Sequence, residues 1–183
     1  RDEPVRTLAA LKTKKLRVWA RDQVETFTRL GVSAQIIPQE DMYIALKTGV
    51  VDCALYPALY AHTVSLQEVA KHASFLYPMA SGPYVLGVST KRWSKTDEKT
   101  KAAITTAAKA MWDRTNQYDD DYERELAARQ NMVKAGVNWL EDFPKEDRSL
   151  FIGAVSESWK ILAEEACGQA PEYRQRVLKA LGR

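Results

Sequence analysis

Cysteine, histidine and long apolar runs are scarce in this chain of 183 residues, and each scarcity excludes something. The two cysteines, Cys53 and Cys167, form at most one bridge and fit no metal or redox spacing. The two histidines, His62 and His72, have no second ligand at helical spacing and no acidic or cysteine cluster beside them, so no zinc site is expected. No stretch approaches the ~20 apolar residues of a membrane span, and the longest, 50–61, is broken by Asp52 and Pro57. The glycine-rich nucleotide-binding patterns and the serine elbow of hydrolases are missing. So is an excess of either charge: 27 Lys and Arg face 24 Asp and Glu, a net +3 without a basic stripe, which disfavours nucleic acid. Arg1-Asp2-Glu3-Pro4 does not read as a signal peptide.

What is present is an ordinary globular composition, 45% apolar and 28% charged. A chain of this size buries about 70% of its unfolded surface and needs no metal or disulfide staple. Lys15 to Ala20 reads as a strand, and Asp22 to Leu30 as a helix capped by Asp22 and closed by Gly31. A strand at Ala34 to Ile37, a helix at Glu40 to Thr48 stopped by Gly49, and a strand at Val50 to Leu55 repeat the unit. This alternation predicts an α/β fold with a parallel sheet. One helix is expected from Pro57 to Lys71, then strands at His72 to Tyr77 and Tyr84 to Val88. A long helix from Asp97 to Ala135, capped by Thr96, carries Ile104, Ala108 and Met111 at helical spacing and stops at Gly136. A short strand at Val137 to Leu140 and two helices follow; the first, after Pro144, is expected to bury Leu150, Phe151, Ala154, Val155, Trp159, Leu162 and Ala166. No internal repeat or low-complexity segment interrupts the pattern.

Arg17 stands out because it interrupts an apolar strand that a parallel sheet buries on both faces. It needs an anionic partner: Asp41 or Asp52 within the protein, or a ligand carboxylate, to which the planar guanidinium presents paired N–H donors. Its place in the latter half of the strand is where ligands sit in open α/β sheets. Trp19, Tyr43, Tyr56 and Tyr84 fall near strand ends or helix starts, as walls of a pocket do. No catalytic constellation emerges. Cys53 lies in an apolar strand with no nucleophile signature, and Asp119-Asp120-Asp121 lies within the long helix, where successive side chains fan out.

The stretch Leu11 to Val18, followed by Pro38-Gln39-Glu40-Asp41-Met42-Tyr43-Ile44-Ala45-Leu46-Lys47-Thr48-Gly49-Val50-Val51-Asp52, resembles the solute-binding proteins of tripartite ATP-independent periplasmic (TRAP) transporters, of the dicarboxylate-binding, DctP-like type. Leu66 to Lys71, and Trp93 with the helix from Asp97, resemble later segments of that family, so the likeness covers nearly the whole chain. It implies a periplasmic-binding-protein-like α/β lobe, its parallel-rich sheet flanked by helices and joined to a long interlobe helix. It implies a periplasmic receptor, not an enzyme, that needs no cofactor or metal, closes on a small carboxylate and delivers it to integral membrane subunits.

Carried over residue by residue, the resemblance makes Arg17 the carboxylate clamp and Gln39 a pocket-lining residue. Tyr56 stands where an asparagine is common, with Trp19 and Tyr84 as further ligand-binding candidates. The segment Asp52-Cys53-Ala54-Leu55-Tyr56-Pro57 departs from the family by lacking its glycine, glutamine, glutamate and asparagine, and Trp19 replaces a common proline. A phenol in place of an amide favours a ligand with an apolar or aromatic portion beside its carboxylate. Family members begin with a lobe that this chain lacks. Residues 1–82 and 122–183 therefore correspond to the second lobe, and 83–121 to an excursion that completes the first. With that lobe missing, the 83–121 surface is expected to be covered by self-association. The competing reading is a helical or α/β interaction and assembly module without a small-molecule ligand.

Overall fold

The computed structural model describes residues 3–76, 86–115, 118–166, 168–180 and 182, with residues 115 and 118–122 described by backbone alone. The elements run α1 (Leu8–Leu11), β1 (Lys15–Val18), α2 (Arg21–Arg29), β2 (Ser33–Ile36), α3 (Gln39–Thr48), β3 (Cys53–Ala54), α4 (Ala58–Ala61), a 3-10 turn (His62–Val64), α5 (Leu66–Val69), β4 (His72–Ala73), α6 (Thr90–Trp93), α7 (Glu98–Thr115), α8 (Tyr118–Lys134), β5 (Asn138–Trp139), α9 (Lys145–Glu165) and α10 (Ala170–Ala180). They divide into two compact units, Arg1–Pro78 with Ala128–Arg183, and Met79–Ala127.

In the first unit, three parallel strands lie in the order β2-β1-β3, with Arg17 in register with Gln35 on one side and Ala54 on the other. A second parallel pair joins β4 to β5. The expected α/β class with parallel sheets is therefore the fold. Alternation along β1 sends its side chains to two different cores. Leu16 and Val18 pack with Leu8, Leu11, Phe27 of α2, Val32 and Phe143. The opposite cluster gathers Met42, Ala45 and Leu46 of α3 with Val51, Ala61, Leu66, Met132 and Val137, and Ala54 and Tyr56 pack against it. Helix α9 covers the α2 side, where Phe151 meets Phe27 with ring centroids 5.5 Å apart.

Several boundaries differ from expectation for local reasons. Helix α2 starts one residue early, with Ala20 as its N-cap, so Asp22 is a first-turn acid facing the helix dipole and not the cap. The predicted strand 50–55 shortens to β3. The single helix expected over 57–71 breaks into α4, the 3-10 turn and α5, because Ser65 takes a left-handed conformation at φ 58°. Of the strand expected at Tyr84 to Val88, the described residues 86–88 belong to no strand, and Tyr84 and Val85 lie outside the described residues. Both halves of the 97–135 stretch are helical, with Gly136 at φ 90° as the stop. The cap is Asp97, not Thr96: Thr100 N donates to Asp97 Oδ1 at 2.9 Å, and hydrogen bonding from the Thr100 side chain, then from its backbone, holds that carboxyl below its usual range. In α9 the expected stripe is misplaced. Leu150, Val155, Trp159 and Ala166 are exposed and Phe151, Ala154 and Leu162 are half-buried, whereas Ser158 and Ala163, outside the expected stripe, are buried, because the seam toward α2 runs through Phe151 against Phe27.

Candidate functional site

Strand order places the site. From β1 the chain steps to β2 through α2, then returns through α3 to β3 on the far side of β1, so its connections diverge between β1 and β3. In an open parallel sheet that divergence leaves a crevice at the carboxyl ends of the two strands. Arg17 sits in the latter half of β1 and Tyr56 two residues after β3, and both face the α3 side.

Arg17 is only 1% exposed, the largest fully buried side chain described. Its Nε donates to Ile37 O at 2.9 Å and its Nη1 to Leu55 O at 3.3 Å. These two carbonyls belong to the segments leaving β2 and β3, so the guanidinium ties both neighbours of β1 together. None of the ion pairs among the described residues includes Arg17. Asp52 does not supply one: its Oδ2 accepts from the Lys15 backbone N at 2.8 Å. Asp41 forms no described ion pair with Arg17 either. Nη2 has no hydrogen-bond partner among the described residues, and burial lowers the guanidinium's affinity for its proton.

Two aromatic rings flank this cation. Arg17 Cζ is 5.7 Å from the Tyr56 ring centroid and 5.9 Å from that of Trp19, both within cation–π range. Tyr56 Oη donates to Gln39 Oε1 at 2.7 Å, which brings the first residue of α3 to the same corner. Trp19 is held from behind by Gln23, whose Oε1 accepts from the Trp19 backbone N at 3.0 Å. Gln23 was not among the candidates, although a glutamine at the third position of α2 is the signal of a side chain reaching back to a helix start. The backbone acceptors Ile37 O and Leu55 O had no sequence signal.

The structure thus brings together Arg17, Trp19, Gln39 and Tyr56. Tyr43 is elsewhere: its Oη donates to Glu68 Oε2 at 2.7 Å, tying α3 to α5. Cys53 is a free, half-buried thiol pushed up by burial, the opposite of an activated nucleophile. His72 Nδ1 lies 3.4 Å from Asn138 Nδ2 across β4 and β5. Among the described residues no group of His, Cys, Asp and Glu is disposed to hold a metal ion, and no helix is long and apolar enough to cross a membrane. Chemically the corner offers charge-assisted N–H donors beside aromatic faces.

Over residues 1–166 the chain matches the family model described as DctP, bacterial extracellular solute-binding protein, family 7. Among solved structures it is similar to a TRAP periplasmic solute-binding protein from Bradyrhizobium sp. in complex with galacturonate. That match has a TM-score of 0.80 and 27% identity, over 97% of this chain and 57% of that one. The periplasmic ectoine-binding protein of the Halomonas elongata TeaABC TRAP transporter matches in fold with a TM-score of 0.77 and 18% identity, over 95% and 56%. A Desulfovibrio salexigens TRAP solute-binding protein with bound orotic acid gives 0.69 and 19%, over 98% and 56%. No curated protein sequence matches significantly. The chain therefore spans somewhat over half the length of the solved relatives.

Proposed function

Because the chain belongs to family 7 of the bacterial extracellular solute-binding proteins, the DctP family, we propose that it is the anion-clamping lobe of a TRAP-type receptor. In this reading Arg17 takes a carboxylate of a small organic anion, Trp19 and Tyr56 form the walls beside it, and Gln39 lines the pocket. The receptor works in the periplasm and delivers the solute to integral membrane subunits. Residues 1–82 and 122–183 form the clamping lobe, and 83–121 serve the opposing one. The division of the fold at 78/79 and 127/128 supports that assignment.

The observation that carries the proposal is the buried guanidinium of Arg17, with no carboxylate counter-ion among the described residues. A buried cation of this kind costs several kcal/mol of desolvation. A ligand carboxylate repays that cost through two parallel N–H···O bonds. The ligands in the solved relatives, galacturonate and orotic acid, carry a carboxylate beside a ring, which suits a cation framed by two aromatic side chains. A thermal-shift screen with galacturonate, glucuronate, orotate, ectoine and simple aromatic acids tests it, since a ligand stabilises by RT ln(1 + [L]/Kd). Carboxylates should raise the midpoint and their uncharged analogues should not.

A second reading, an interaction module, is favoured by one observation in the second unit: Met111 and Trp112 of α7 are 57% and 63% exposed. It is compatible with the first and concerns the other unit.

A further inference from the structure

Arg129 of α8 is a second guanidinium that the first unit frames with two aromatic rings. Ala128 and Met132 of α8 turn one face into the core, and Arg129 follows at the edge of that face, half-buried. Its Cζ lies 3.5 Å from the Phe75 ring centroid and 5.4 Å from that of Trp139. Backbone bonds fix the segments that carry both rings: Ala73 O accepts from Leu140 N and Phe75 O from Phe143 N, each at 2.8 Å, which continues the β4–β5 pairing at its carboxyl end. There the two ring centroids are 5.3 Å apart. Stacking on Phe75 holds the guanidinium in position before any ligand arrives, which lowers the ordering cost of binding.

None of the ion pairs among the described residues includes Arg129. Of its nitrogens only Nε is fully buried without a hydrogen-bond partner; Nη1 and Nη2 make no described hydrogen bond and so reach the surface. The ring faces attract the cation but leave its in-plane N–H donors unused. Arg174 of α10 also has a buried Nε without a partner, but its one ring, Trp159, is itself 37% exposed and lies 5.4 Å from Cζ, so little fixes that guanidinium. We infer that Arg129 is a second anion site, sharing no ring or backbone acceptor with Arg17, that takes the carboxylate of a small organic acid end-on through Nη1 and Nη2. Two adjacent N–H donors match the two carboxylate oxygens. The site does not depend on Arg17 binding a ligand.

Titration of the 183-residue chain with sodium acetate tests this by NMR at the arginine Nε signals, against sodium chloride at the same ionic strength and against neutral acetamide. The signal missing from Arg129→Lys identifies Arg129. Acetate should shift it along a saturating curve, chloride and acetamide should not, and the curve should be unchanged in Arg17→Met and in Arg17→Lys. The Arg174 signal should follow acetate and chloride alike. In Arg129→Lys, followed at the Trp139 indole N–H, the acetate midpoint should rise by roughly ten-fold or more, since an ammonium does not reproduce the paired donors. An Arg129 signal that responds to chloride as it does to acetate, or to neither, overturns the inference and leaves Arg17's role standing. A response that disappears in both Arg17 variants means that acetate acts through the Arg17 corner, and it overturns the second site equally.

Discussion

The guanidinium of Arg17 lies 5.7 Å from the centroid of the Tyr56 ring, and this places a buried cation and an aromatic wall on the same side of β1 and β3. A Tyr56 directed to the α2 side of the sheet would have removed it from any pocket at Arg17. Instead it packs at the edge of the α3 cluster, with its hydroxyl on Gln39.

The stability of the unliganded chain follows from that arrangement. Arg17→Met keeps a long unbranched stem and removes the charge. It loses two hydrogen bonds to backbone carbonyls, about 1.5 to 3 kcal/mol each for a charged donor, and gains back a desolvation cost of several kcal/mol. The two nearly offset, so urea unfolding should place the variant within about 1 kcal/mol of the wild type. Removing one half of a satisfied buried ion pair costs about 3 to 5 kcal/mol, and a loss of that size would make Arg17 a structural residue.

Ser158 of α9 is 1% exposed, and its Oγ has no hydrogen-bond partner among the described residues. Ser158→Ala removes a buried hydroxyl that makes no bond, and alanine is the better helix former. Thermal and urea unfolding should show stabilisation of about 1 kcal/mol. A destabilised variant would mean that the hydroxyl is bonded in solution.

Cys53 separates the receptor reading from an enzymatic one. Burial pushes its thiol up, so at any pH between neutrality and its ordinary range the native protein holds less thiolate than the unfolded chain does. Labelling with a disulfide reagent, followed on the Cys53 peptide, should be slow at pH 7, quicken as pH rises, and become fast at pH 7 once urea is added. Rapid native labelling at pH 7 would identify an activated cysteine.

Trp112 and Met111 give the expectation for assembly. If the exposed face of α7 associates with a second copy, light scattering across a dilution series should show a mass above that of one chain which falls on dilution. Trp112→Lys should give a monomer with an unchanged circular-dichroism spectrum. A chain already monomeric at the highest concentration would remove self-association from the account.

How far the sequence carries is visible in particular residues. The period of β1, α2, β2 and α3 was legible because each apolar pattern ends at a punctuating residue, with Gly31 and Gly49 both left-handed at φ 73° and 79°. Arg17 was legible as an anomaly in an apolar strand. What it bonds to was not, since Ile37 O and Leu55 O are backbone atoms whose positions depend on sheet order. The orientation of α9 was misread because Leu150, Val155 and Trp159 share a helical period with the true seam while lying to one side of it. The break at Ser65 was missed because a non-glycine residue at positive φ has no compositional signal.

The receptor function turns most directly on whether Arg17 binds a carboxylate as a fork and not as a point charge. Calorimetric titration of the wild type and of Arg17→Lys, with the carboxylate giving the largest thermal shift and with its uncharged primary amide, measures this. A carboxylate clamp gives saturable binding of the acid, none of the amide, and a loss of about 30-fold or more in the lysine variant, on the order of 2 kcal/mol. Equal binding of acid and amide, or undiminished affinity in Arg17→Lys, would contradict it.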